Sequence, residues 1–89
     1  MRTESVEIYS DASNAAIIRH PGRVFPGVLV QGDTLRNLCK DAADLVAALE
    51  RGDPDAIEYA MDLNERLEAF LQHYQRVMEA HGLKLPYPR

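Results

Sequence analysis

Apolar and polar positions follow two regimes along this chain. Val6-Glu7-Ile8-Tyr9 alternates at period two, the pattern of a half-buried strand. Ser10-Asp11-Ala12-Ser13-Asn14 is turn-rich, and the apolar run Ala15-Ala16-Ile17-Ile18-Arg19 predicts a second strand. A Pro/Gly loop follows, and then Val28-Leu29-Val30-Gln31 reads as a third strand, close enough in sequence to pair antiparallel with the second. Three short strands cannot bury both faces alone, so one face needs a helical cover.

After Gly32-Asp33 the period changes. Leu35, Leu38, Cys39, Ala42, Leu45, Val46 and Leu49 form one helical stripe, with Asp33 the expected N-cap and Arg51-Gly52 the end. Asp53-Pro54 restarts the chain at once, Asp53 as N-cap and Pro54 at the first helical position, where its missing N–H costs nothing. A second helix is predicted from Pro54 to His81, with Gly82 as its cap. The fold class that follows is α+β: a short three-stranded antiparallel sheet packed on an antiparallel two-helix hairpin. The chain reads as one small domain, with residues 1–32 β-rich, 33–82 helical and 83–89 an extended, proline-bearing tail that docks back through Leu83, Leu85 and Tyr87.

At 1.5 Å per residue the second helix overshoots the first by around 15 Å. Its far portion is apolar through Leu67, Phe70, Leu71, Tyr74, Val77 and Met78, so either the sheet or another chain must cover it. Phe70, Tyr74, Val77 and Met78 are therefore candidate interface residues. Asn64 falls among the inward positions between Met61 and Leu67, where an amide is satisfied by backbone, sits at the rim or, less often, sets register in a helix pair.

The segment Arg19-His20-Pro21-Gly22-Arg23-Val24-Phe25-Pro26-Gly27 is the candidate working surface. Its prolines fix φ and its glycines permit unusual φ, so it has a defined shape. Arg23 beside Phe25 is a pairing typical of interface hot spots, with Phe25 as a plug at the core edge the plainer reading. Arg19, His20, Arg23, Gln31 and Asp33 are the polar groups of an alternative, a carboxylate or phosphate site near the free N–H groups of the first helix. Two features oppose it: Asp33 already caps that helix, and the third strand carries loop and helix start to opposite ends.

The 89 residues carry a net charge of −4. Residues 1–32 are balanced, whereas residues 33–89 hold seven basic against eleven acidic side chains. With no basic stripe, nucleic-acid binding is disfavoured; an acidic helical surface suits a basic partner or water. No apolar run approaches the ~20 residues of a membrane span, and the N-terminus lacks the apolar core of a signal peptide, so a cytoplasmic protein is expected. The single Cys39 excludes an internal disulfide and reads as a buried, inert thiol. His73 and His81 stand eight apart, not at the i, i+4 spacing of paired helical ligands, so no metal is expected. Phosphate-binding, nucleotide-binding and hydrolase motifs are missing, so no cofactor and no catalytic residue is assigned.

The string Pro21-Gly22-Arg23, Phe25-Pro26-Gly27 and Gln31-Gly32-Asp33, with the strands before it and the His81-Gly82-Leu83 ending, resembles a family of small bacterial proteins classed as a domain of unknown function. The resemblance spans nearly the whole chain and implies a bacterial context. It brings no activity, cofactor or catalytic residue. The expectation is a small interaction module, an accessory or immunity-like protein, acting on a protein partner or as a homodimer. The alternative is a small-ligand or anion-binding domain, or an enzyme whose site assembles in a homodimer.

Overall fold

A computed structural model describes residues 1–88. Strands β1 (Glu7–Ser10), β2 (Ala15–Arg19) and β3 (Gly27–Val30) precede helices α1 (Gly32–Glu50) and α2 (Ala56–Ala80), so the fold is α+β. The sheet order is β1-β2-β3, antiparallel throughout. The chain divides into two compact units: residues 1–30 with 70–89, and residues 31–69.

In the first unit the sheet lies on the C-terminal half of α2. Ile17 of β2 packs with Tyr74 and Met78, and all three are buried. Tyr9, Val77, Leu83, Leu85 and Tyr87 close around them, so the tail docks as its apolar residues predict. Gln75 Nε2 donates to Tyr87 Oη at 3.2 Å. Arg89 lies outside the described residues. Two histidines, His73 in α2 and His81 just after it, fasten this segment to β1. His81 Nε2 donates to the Tyr9 carbonyl and its ring meets the Tyr9 ring edge-on at 5.0 Å, while His73 Nε2 lies 3.3 Å from Ser10 Oγ.

The second unit is the hairpin of α1 and the first half of α2. Gly52 closes α1 in the left-handed region, at φ 66°, and lets Asp53 N–H reach back to the Ala48 carbonyl at 2.9 Å. An L side chain is disfavoured in that conformation, which is why glycine stands there. The second helix begins at Ala56 and ends at Ala80, not at Pro54 and His81, so Asp53 and Pro54 form the turn before it: Asp53 Oδ1 accepts from Asp55 N–H at 2.8 Å and Oδ2 from Arg51 at 2.8 Å. Those two interactions, the backbone N–H foremost, hold the Asp53 carboxyl below its ordinary value.

Three further expectations require correction. Gln31, not Asp33, is the α1 N-cap residue, and its carbonyl accepts from Leu35 N–H at 2.9 Å. Asp33 sits inside the first turn, where Oδ1 accepts from Thr34 N–H at 2.8 Å. Cys39 and Asn64 are exposed rather than buried. Both lie on a helix face that the two-helix unit leaves uncovered, because two helices bury only one side of each other. In this unit only Ala48 and Ala56 are buried.

Candidate functional site

The loop between β2 and β3 is a built structure. Arg23 N–H donates to the His20 carbonyl at 3.0 Å, closing a turn over Pro21 and Gly22. Gly22 takes φ 84°, the value demanded of the third residue of a type II turn with proline second. His20 Nδ1 donates to the Pro21 carbonyl at 2.8 Å, and Arg19 Nη1 donates to the Arg23 carbonyl at 3.3 Å. The far side of the loop is pinned from the core, where the buried Tyr74 hydroxyl donates to the Pro26 carbonyl at 2.8 Å. Burial, and secondarily the nearby Tyr87, raises the Tyr74 phenol above its usual value.

This frame holds apolar groups against water. Val24 is 82% exposed and Phe25 40%. Together with Ile18, Val28 and Leu29, Phe25 lines an open depression of about 320 Å³ whose remaining walls are His20, Arg23 and Gly27. The register explains the surface. Ala15 and Ile17 face α2, so Ala16 and Ile18 face the other way. Ala16 pairs with Leu29 and Ile18 with Ile8, which puts Ile8, Ile18 and Leu29 on the outer face. Ile8 is 61% and Leu29 53% exposed. The sheet is thus apolar on both sides, and α2 covers one of them.

The polar candidates do not gather. Arg19 forms an ion pair with Glu7 on the neighbouring strand, whereas Arg23 and His20 border the depression. Gln31 and Asp33 follow the opposite end of β3 and belong to the second unit. Among the described residues, no cluster of three His, Cys, Asp or Glu side chains is placed to hold a metal ion, and no helix is long and apolar enough to cross a membrane.

Of the four candidate interface residues, Tyr74 and Met78 are buried and Phe70 and Val77 half-buried. The sheet, not another chain, takes up Tyr74 and Met78. Tyr74 instead serves the loop, a role that its helical spacing did not disclose. The outer apolar face did have a signal: Ala15-Ala16-Ile17-Ile18 and Val28-Leu29-Val30 are apolar at every position, as in strands covered on two sides.

The model of a family of unknown function, DUF6959, matches residues 1–87, and the chain belongs to that family. No curated protein matches the chain, and no solved structure does.

Proposed function

We propose that this member of the family is a small protein-binding module that works in the bacterial cytoplasm, by shape and without catalysis. Its recognition surface is the outer face of the sheet together with the loop. The observation that carries this reading is the exposure of Phe25, on a loop fixed from within by Tyr74, and of Leu29 on β3, both lining one depression with Arg23. Apolar groups held rigidly at the surface lose little freedom on binding, and an aromatic next to an arginine is the composition of an interface hot spot. The ligand that fits is a protein segment with an apolar side chain for the depression and a carboxylate for Arg23. A free anion fits less well, because Arg19 is already occupied by Glu7 and the depression walls are mostly apolar.

Affinity capture from the native host, comparing the wild type with Arg23→Ala/Phe25→Ala, tests the proposal. A protein recovered stoichiometrically with the wild type and lost from a variant of unchanged circular dichroism and melting supports it. Equal recovery by both, or no protein other than the bait, refutes it.

A further inference from the structure

The two edges of the sheet are not alike. β1 and β3 are its outer strands, four residues each. In an outer strand every second residue turns its backbone N–H and C=O away from the neighbour, where another strand can pair with them. β1 is guarded against that. Its pairing with β2 breaks register between Ile8 and Ser10, Glu7 is charged and paired with Arg19, and the Tyr9 carbonyl is taken by His81 Nε2. A bulge, a charge and a covering contact are the devices by which natural edges refuse another strand. β3 carries none of them. Its register with β2 is unbroken from the Ala15–Val30 pair to the Ile18–Gly27 pair, it contains no charge and no proline, and Gly27, Val28 and Leu29 are exposed.

Gly27 stands in this open strand without a local reason. Its φ is not positive, and a Cβ there would meet no atom beyond its chain neighbours within 4 Å. Neither the backbone conformation nor crowding within the chain asks for glycine, and glycine weakens a strand. Its missing side chain leaves space: Gly27 lines the depression together with Ile18, Phe25 and Leu29. A strand glycine of this kind marks the close approach of another backbone, and a large side chain from an adjoining strand packs across it.

Resting on the reading of this surface as a protein-binding one, we propose that the partner binds as a fourth strand: an extended segment of another protein, antiparallel to β3 and hydrogen-bonded along its free edge. Antiparallel is the sense of the rest of the sheet and the stabler pairing. Side chains on one face of a strand recur every second residue. One apolar side chain of the segment lies beside Leu29. A second, two residues on, lies over Gly27 in the depression. An acid two residues further reaches Arg23, which borders the depression and has no ion pair among the described residues. The segment thus reads apolar, any, apolar, any, acid. β3 itself does not read this way in either frame, Val28-Leu29-Val30-Gln31-Gly32 lacking the acid and Leu29-Val30-Gln31-Gly32-Asp33 the second apolar residue, which favours another protein over a second copy.

A library of short random peptides, displayed and selected on the full chain, tests the proposal. The recovered sequences are expected to share the alternating pattern with its acid. Moving an N-methyl group along a recovered peptide is expected to abolish binding at every second residue and to leave it unchanged in between, because only alternate N–H groups point at β3. Gly27→Val builds into open space and is expected to keep or raise the melting temperature while weakening the peptide about tenfold or more. Arg23→Ala is expected to remove the preference for the acid. Binding indifferent to N-methylation or to Gly27→Val overturns the proposal. So does a chain that dimerises in sedimentation and loses the dimer with Gly27→Val, the occupant then being a second copy. Recovered peptides apolar at three- or four-residue steps, and lost with Phe25→Ala, overturn the added strand and leave the surface reading standing. An empty selection also overturns the strand, while the affinity capture decides the surface separately.

Discussion

Replacing Tyr74 by Phe removes one hydroxyl and leaves the ring that fills the core between Ile17 and Met78. Two terms follow. The hydrogen bond to the Pro26 carbonyl is lost, a net contribution of about 0.5–1.5 kcal/mol. The carbonyl, on a buried residue, is also left without that donor, and an unsatisfied buried acceptor costs about 1–3 kcal/mol. The neighbours Phe25 and Gly27 are exposed, so water can reach the carbonyl after a small movement. The sum therefore belongs at the low end, about 1–2 kcal/mol. For a domain of this size each kcal/mol moves the melting temperature by about 4–8 °C, giving a fall of about 4–16 °C.

Urea and thermal unfolding followed by circular dichroism read the loss directly. A second readout isolates the hydroxyl. The folded Tyr74 phenol titrates above its unfolded value because the fold disfavours the phenolate. Its contribution is complete below the unfolded value of about 10 and is lost as pH rises from there through the folded one. The wild type should therefore lose stability in alkali more steeply than Tyr74→Phe. A change under about 0.3 kcal/mol, with identical alkaline profiles, would refute the pinning of the loop by this hydroxyl.

Other expectations are independent of the loop. Ile17→Ala opens a cavity at a fully buried branched side chain and should cost about 2–5 kcal/mol in urea unfolding. Gly52→Ala forces a Cβ into the left-handed region at the hairpin turn and should cost about 1–2 kcal/mol by the same measurement. The Asp53 carboxyl is depressed by the Asp55 N–H and Arg51, so its contribution is present above the unfolded value of about 3.9 and lost as pH falls through the folded one. Asp53→Asn keeps a capping oxygen and should flatten the acid limb of the melting-temperature profile; an unchanged limb would place the acid sensitivity elsewhere.

Local signals explain what was legible in the sequence. The hairpin turn was readable because Gly52, Asp53 and Pro54 each admit few conformations, and β2 because Ala15–Arg19 is apolar between turn residues. The Asp33 cap failed because Gln31 and Gly32 open the helix two residues earlier, and capping preference is a weak force beside chain connectivity. The burial of Cys39 and Asn64 failed for a different reason. Apolar periodicity reports that a face wants cover, not that this chain supplies it, and the hairpin covers only the side on which Ala48 and Ala56 meet. The same ambiguity in the far half of α2 resolved the other way, since the sheet and tail close over Tyr74 and Met78. The loop was visible from its prolines and glycines, but the hydrogen bond that fixes it joins residues 48 apart in sequence, and no local pattern encodes that.

The central claim is that the outer sheet face meets another protein. A photoreactive amino acid placed at Leu29, and as a control at the exposed Lys84 of the docked tail, tests it in the native host. The account predicts one discrete adduct with a different protein from position 29, absent from position 84 and abolished by Arg23→Ala/Phe25→Ala. No adduct at position 29, an adduct of the chain with itself alone, or the same products from both positions would contradict it.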